Sequence, residues 1–558
     1  MPARSDFDIS RDCDARPIAA LADSLGLDEE ELILYGRHMA KVSPAALRRL
    51  EGRPEGKLIL CTAITATPAG EGKTVTTIGL VQGLGAMGES VMGTLREPSL
   101  GPVFGIKGGA TGGGRAQVYP MEDINLHFTG DIHAVGAAHN LLSSLLENHL
   151  AKGNRLGIDP TRVLFRKAMD MNARELRHIV IGMGGKVQGG VPRESGFLIT
   201  SASEISAILA LAEDRDDLRS RLEAITLAYT HGGRPVTAKD LGGVGALMVL
   251  LKDALSPNLV QTLEGQPVLV HGFPFANIAH GTSSVIAARA ALRMADYVVT
   301  EAGFAADLGA EKFFNIVGRQ SGLVPDAVVL VATLRALKMH GGASLEDCGA
   351  PDMAALEEGF SNLDHHVASI QSFGLPVVVC LNLFPGDDER EIETLRRHCG
   401  ELGVRMAISD AHARGGEGAR ELAETVLESI EDGRDFRFLY PDEMSIKEKV
   451  ETIAEKIYGA GQVVFLRQAE RDLEAIEEAG HGKLPICMAK TQSSITDDPS
   501  KKGAPRGWKL TVREVYASTG AGFVVPICGQ MNLMPGLPSS PSALRMDIDD
   551  EGGISGLR

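Results

Sequence analysis

The chain has 558 residues, with 56 Lys and Arg against 73 Asp and Glu, and a net charge of −17. It therefore lacks the basic footprint of a nucleic-acid binder, and aromatics at 4% with a single Trp508 are too sparse for base-stacking platforms. At about 100–200 residues per domain the length accommodates about three or four domains, or one large core with two satellites.

The seven cysteines are odd in number, far apart and without a CxxC pair. They signal neither a zinc site nor a disulfide framework, and read as small buried side chains in a reducing cytoplasm. The N-terminal segment mixes Arg with Asp and has no apolar stretch, unlike a signal or transit peptide. The richest apolar run, Val377 to Phe384, is interrupted by Asn382 and is too short to span a bilayer. A cytoplasmic protein with no membrane partner is expected.

Taken in chain order, short apolar runs end abruptly in polar or glycine residues. Leu58–Ile64 leads into Thr65, Ser90–Leu95 into Arg96-Glu97-Pro98, and Val268–Val270 into His271-Gly272. Tyr297–Thr300 ends at Glu301, Ala327–Ala332 leads to Arg335, and Val377–Leu381 to Asn382. Continuous apolar strands are buried on both faces, the mark of a parallel α/β sheet. Ligands bind beyond the carboxyl ends of such strands, so Arg96, Glu301, Arg335 and Asn382 become candidates for one crevice. Arg420–Asp432 reads as a helix with a charged outer face. Ile446, Val450, Ile453 and Ile457 form a helix with one apolar stripe. A Glu- and Lys-rich stretch at 442–482 marks a boundary. The expected domains are 1–360, an α/β nucleotide-binding domain with insertions, 361–445, a second α/β domain contributing to a ligand cleft, and 446–558, a C-terminal α/β domain.

The sharpest local signal is Thr67-Pro68-Ala69-Gly70-Glu71-Gly72-Lys73-Thr74, which follows a predicted strand and opens a predicted helix, the context a phosphate loop requires. Gly70 and Gly72 allow the positive φ that turns backbone N–H groups toward one anion. Lys73 supplies a charge for the β- and γ-phosphates, Thr74 a Mg²⁺ ligand, and the helix its positive dipole end. Thr67 stands where the common pattern has its first Gly. The fold class expected from these elements is a P-loop NTPase-like, mostly parallel sheet flanked by helices, with smaller additional α/β domains. Gly79 and Gly83 in the following helix each cost about 1 kcal/mol relative to Ala, which makes sense if that face packs closely against the sheet. A second glycine-rich segment, Gly105 to Arg115, is either a mobile linker or a backbone cradle for an anion with Lys107 alongside. His127, His133 and His139 step by six, which does not stack them on one helix face, so scattered hydrogen-bonding histidines are expected.

Eight long blocks carry a resemblance: TPAGEGKT at 67–74, REPSLGPVFGIKGGA at 96–110, PMEDINLHFTGDIHA at 120–134, PFANIAHG at 274–281, TEAGFAADLGAEKF at 300–313, VATLRALKMHGG at 331–342, PICMAKTQ at 485–492 and MPGLP at 534–538. Through them the chain resembles the formate–tetrahydrofolate ligases over nearly its whole length, and looks like the monofunctional form. The resemblance implies ATP-dependent formylation of tetrahydrofolate at N10 through formyl phosphate, with Mg²⁺ on the nucleotide, an activating monovalent cation and a homotetramer. It places Lys73, Arg96 and His127 in catalysis, with a structural histidine as the other reading of His127. Phe304 and His412 would join residues 67–74 in binding ATP. Phe384, Pro385, Ile408 and Glu97 would bind the folate, with core packing the other reading of Phe384, and Glu301 would lie on the Mg²⁺ side.

The sequence departs from the family pattern at several points. His412 replaces a Trp, Arg115 a Tyr that ends the Gly-rich signature, Thr111 that signature's second Ala and Phe273 a Gly before Pro274. Met531-Asn532-Leu533 also differs from the usual run. Imidazole offers less stacking area than indole, so altered nucleotide binding is expected at His412. Arg115 either strengthens anion binding or obstructs the phosphate pocket. Two other readings remain: a different P-loop carboxylate-activating ligase, and a nucleotide- or folate-binding protein without turnover.

Overall fold

The computed structural model describes residues 5–105, 111–550 and 552–557. Its centre is a twelve-stranded sheet built from β1 (Leu32–Leu34), β2 (Ala40–Val42), β3 (Lys57–Ala63), β4 (Val91–Leu95), β5 (Gly112–Gly113), β6 (Ala116–Tyr119), β7 (Asn258–Thr262), β8 (Pro267–Val270), β9 (Tyr297–Glu301), β10 (Ala327–Ala332), β11 (Val377–Asn382) and β12 (Arg405–Ser409). The order is β1-β2-β7-β8-β4-β9-β3-β10-β11-β12, with β6 also pairing with β7 and β5 with β6. From β8 to β12 every neighbouring pair along this order is parallel, so the carboxyl ends of these strands open on one edge.

The strands alternate as two-sided burial demands. Leu58 and Leu60, Val328 and Leu330, and Val379 and Leu381 face the larger core. Ile59 and Cys61, Val329 and Val331, and Val378 and Cys380 face the opposite layer, where they meet Leu80, Val81 and Leu84 of α1 (Lys73–Ala86) and Leu422, Ala423 and Val426 of the helix Arg420–Glu431. Segment 361–445, expected as a second domain, carries β11 and β12, which extend the same sheet from β10. Hydrophobic runs identify strands, but nothing in them distinguishes a new sheet from a continued one.

The glycine face of α1 corrects another expectation. A Cβ on Gly79 would lie 2.3 Å from the Ala411 Cβ, and one on Gly83 would lie 3.0 Å from the Ala419 carbonyl oxygen. The close approach is therefore to residues 411–419, the segment that carries His412, and not to the sheet. Buried Ala411 and Ala419 complete the fit.

Toward the C-terminus, β13 (Gln462–Phe465), β14 (Lys509–Ser518) and β15 (Phe523–Cys528) form a separate three-stranded sheet. The preceding helix Ile446–Lys456 starts at a Ser445–Glu448 capping box and buries Ile446, Val450 and Ile453, with Ile457 following. Among the described residues no helix is long and apolar enough to cross a membrane.

Glu204 joins this C-terminal sheet to the rest. Its carboxyl oxygen accepts from the Gly520 and Ala521 N–H groups, in the turn between β14 and β15, at 2.7 and 3.3 Å. Burial pushes its pKa up to about 7, against the opposing pull of those two N–H groups. The folded state therefore retains a proton that the unfolded chain loses near pH 4.5, and the associated stability fades as pH rises from about 4.5 to 7. Glu204→Gln is expected to flatten that decline. In urea titrations the stability of the variant relative to the native chain should rise from pH 5 to pH 8; a pH-independent difference would contradict the assignment.

Candidate active site at the carboxyl edge of the sheet

The loop between β3 and α1 wraps back on itself. Gly70 and Gly72 adopt φ values of +77° and +73°, while Thr67 is not among the positive-φ residues, so its position needs no glycine. Instead Thr67 donates from its N–H and hydroxyl to one Glu71 carboxylate oxygen, at 2.7 and 3.0 Å. This bridge ties the start of the loop to its far side and accounts for Thr in place of the usual Gly. Gly72 is the N-cap of α1 and no side chain caps it, which leaves the first-turn amides of a 14-residue helix directed at this edge. A Cβ on Gly72 would lie 2.1 Å from the Asn382 amide nitrogen, which itself donates to the Glu71 carbonyl at 3.3 Å.

The adjacent strand supplies the acid. Thr74 donates its hydroxyl proton to Glu301, at the end of β9, over 2.8 Å. The second Glu301 oxygen lies 3.8 Å from the Arg96 guanidinium, which follows β4. Glu301 is 2% exposed and Arg96 25%. Lys73 donates to the Phe304 carbonyl at 3.3 Å. Phe304 itself has φ +61°, an uncommon conformation for a bulky residue and one that concentrates at functional sites. Two π-helical turns, Ala306–Ala310 and Phe313–Gly318, follow it. Lys73, Thr74, Glu301, Arg96 and Phe304 thus form one connected group. Hydroxyl and carboxylate oxygens at Thr74 and Glu301 are the donor set of a hard divalent cation.

Beside this group the Arg335 guanidinium lies over the Phe384 ring, 4.4 Å from its centroid. Phe384 is half-buried in a turn closed by its N–H and the Asp387 carboxylate at 2.9 Å, and Pro385 is exposed. Burial raises the Asp387 pKa, against the nearby Arg335 and Lys338. Ile408 is half-buried on β12, paired with Leu381.

The remaining expected residues sit further out. Glu97 is buried with one carboxyl oxygen lacking a partner among the described residues. Burial, with Asp131 and Asp170 nearby, raises its pKa well above the carboxylate range, against Lys41. His127 is exposed and adjoins Asp170, a half-buried carboxylate that accepts from the Ser99 hydroxyl at 2.6 Å and the Leu100 N–H at 3.0 Å. His139 donates to the Arg166 carbonyl at 2.9 Å and stacks on Phe165. His412 is exposed and packs on the Gly113–Gly114 turn, its carbonyl accepting from the Arg115 N–H at 2.8 Å. The Arg115 side chain points to solvent. Thr111 is buried, and its hydroxyl accepts from Asn125 at 3.1 Å. Phe273 is buried in the main core. Lys107 lies outside the described residues. Asp170 and Asp387 emerged from the fold alone, since an isolated Asp in a loop carries no periodic or motif signal.

The sequence profile of the formate–tetrahydrofolate ligases matches residues 4–558. The chain belongs to that family. A "Formate--tetrahydrofolate ligase" of Paracoccus denitrificans (strain Pd 1222) is 56% identical over 554 residues, covering 99% of this chain and 100% of that protein. One of Symbiobacterium thermophilum (strain DSM 24528 / JCM 14929 / IAM 14863 / T) is 54% identical over 554 residues, with the same 99% and 100%. Among solved structures, translation elongation factor SelB from Methanococcus maripaludis, apo form, aligns at 13% identity over 27% of this chain and 29% of that one, with a TM-score of 0.16, a likeness too slight to carry any argument. Family membership makes the chain an enzyme of the ligase class, as the eight motif blocks led one to expect.

The geometry separates the two loop glycines. Gly72→Ala forces a Cβ against Asn382 at a left-handed φ, whereas a Cβ on Gly70 meets nothing within 4 Å and adds only the left-handed strain of about 1–2 kcal/mol. Steady-state kinetics should show a turnover loss at least ~10-fold greater for Gly72→Ala than for Gly70→Ala; equal losses would contradict the close contact.

Proposed function

We propose that the protein joins formate to N10 of tetrahydrofolate using ATP, by way of formyl phosphate, and releases 10-formyltetrahydrofolate, ADP and phosphate for one-carbon metabolism. The observation that carries this reading is the connected group Lys73, Thr74, Glu301 and Arg96 at the helix N-terminus, in a chain matched end to end by the family profile. Formate and ATP are both anionic and repel. A lysine, a guanidinium and oriented backbone amides bring them together and stabilise the charge spread over the phosphoryl group in transfer.

In the first step a formate oxygen attacks the γ-phosphorus as the bond to ADP breaks, with Lys73 and residues 67–74 holding the phosphates. Arg96 suits the junction because its planar fork can address a carboxylate and a phosphate together. In the second step the N10 amine attacks the formyl carbon, phosphate departs and the amine proton is lost. His127, beside Asp170, is the group proposed to take or relay that proton. Formyl phosphate is prone to hydrolysis, so the pocket has to exclude water until the amine arrives. Thr74 and Glu301 would hold Mg²⁺, which neutralises phosphate charge when bound. Phe304 and His412 are assigned to the adenine side. Phe384, Pro385, Ile408 and Glu97 are assigned to the folate, where a flat ring fits between an aromatic face and aliphatic edges. A cytoplasmic homotetramer completes the proposal, on the strength of the family resemblance.

Lys73→Ala is expected to lower turnover at least ~100-fold with an unchanged circular-dichroism spectrum, because the residue opens a helix at the loop and lies outside the core. Sustained ADP release over many turnovers should require formate and tetrahydrofolate together, because formyl phosphate has to be consumed before the next ATP is used. Full activity in the variant would remove the phosphate loop from the mechanism. Turnover with another small carboxylate and none with formate would favour a different carboxylate-activating ligase, and ATP binding with no product a binding protein. His412→Trp restores the larger stacking surface and should lower the KM for ATP; an unchanged or higher KM would contradict the adenine assignment.

A further inference from the structure

Thr65 lies between the end of β3 and the phosphate loop, two residues before Thr67, and each of its polar groups is held by a buried side chain. Its N–H donates to the side-chain oxygen Oδ1 of Asn362 at 3.2 Å. Its hydroxyl accepts from the Asn362 amide at 3.0 Å and meets His366 Nε2 at 2.9 Å. Its carbonyl accepts from His340 Nε2 at 2.8 Å. Thr65, Asn362 and His366 are at most 1% exposed, and His340 4%. Because a carbonyl only accepts, Nε2 of His340 carries the proton. Burial lowers the pKa of His340 to about 4 and of His366 to about 3, so both rings are neutral donors or acceptors near pH 7 and not charges near the nucleotide.

The three side chains come from elsewhere in the chain, on the helices Leu334–His340 and Met353–Gln371. Asn362 reaches further still, since its amide also donates to the Gly503 carbonyl at 2.9 Å. The segment leading to Gly503 is anchored at two other points beside the site. Buried Lys490 lies 2.7 Å from Asp307, on the π-helical turn after Phe304, and Gln492 accepts from Asn277 at 3.1 Å. A threonine with N–H, hydroxyl and carbonyl all engaged in a dry interior is fixed in position, and loss of one partner strands the others.

We infer that Asn362, His366 and His340 are positioning residues for nucleotide binding: they immobilise Thr65, the foot of the phosphate loop, and through Asn362 they make the C-terminal segment at Gly503 part of the same support. The inference rests on the phosphate-loop reading above and deepens it. It predicts a defect confined to the nucleotide. Thr65→Val keeps the side-chain shape and removes the hydroxyl, and should weaken Mg-ATP binding ~10-fold in calorimetry while the KM values for formate and tetrahydrofolate stay within about twofold. Thr65→Ser should return ATP affinity to within about twofold of the native value. Native affinity in Thr65→Val, or equal rises in all three KM values, would overturn the inference. If Lys73→Ala also bound nucleotide normally, the phosphate-loop reading itself would fall; if Lys73→Ala alone were impaired, only the present inference would. A measurement on the native chain covers the case in which Thr65→Val does not fold. Added Mg-ADP should slow amide exchange at residues 500–506, and unchanged exchange there would remove the C-terminal segment from the support.

Discussion

Gly72 stands in a left-handed conformation with the Asn382 amide where a Cβ would be, and much of the site follows from that contact. Because the chain turns sharply there, the first amides of α1 face the edge where β3, β9 and β11 end. Asn382 closes over the turn and donates to the Glu71 carbonyl at 3.3 Å, which holds the loop from one side. The Thr67–Glu71 bridge holds it from the other side. A helix N-terminus attracts an anion through its uncompensated N–H groups and dipole, and such a terminus binds tightly only where it does not reorganise on binding.

The parallel run of the sheet gathers the remaining charges. Arg96 follows β4, Glu301 ends β9 and Arg335 follows β10, and register alone brings them to one edge. A chain with net charge −17 repels anionic ligands at long range, a repulsion that salt screens beyond about 8–10 Å. Inside the crevice the balance is reversed by a few cations at short range. Glu301 tempers them, since it faces Thr74 on one side and Arg96 on the other. The nearby Glu97 is held towards its neutral form by burial and adds little negative charge of its own.

The strands that build this edge were legible because parallel strands buried on both faces leave uninterrupted β-branched runs, and each of the six runs read from the sequence is a strand of the large sheet. The loop was legible because its glycines and lysine form a contiguous motif. What stayed hidden depends on contacts between distant segments. Nothing local to 405–409 says that β12 joins the sheet of β3 by way of β11. The small face of α1 announced a close approach through Gly79 and Gly83, but its partner, residues 411–419, lies more than 300 positions away. The support under Thr65 draws on His340, Asn362 and His366, each an ordinary polar residue in its own neighbourhood, and on the backbone carbonyl of Gly503. His139 is the hydrogen-bonding histidine its spacing led one to expect, whereas His340 and His366 serve as neutral hydrogen-bonding groups in the interior with no such signal around them.

The central claim is that the amides of residues 70–74 and the Lys73 ammonium hold the phosphates of a nucleotide. A crystal structure with Mg-ADP bound tests it most directly. The account predicts phosphate oxygens within hydrogen-bond distance of those amides and of Lys73 Nζ, with the metal beside Thr74 and Glu301. A diphosphate ordered elsewhere in the molecule, with residues 67–74 empty, would contradict it.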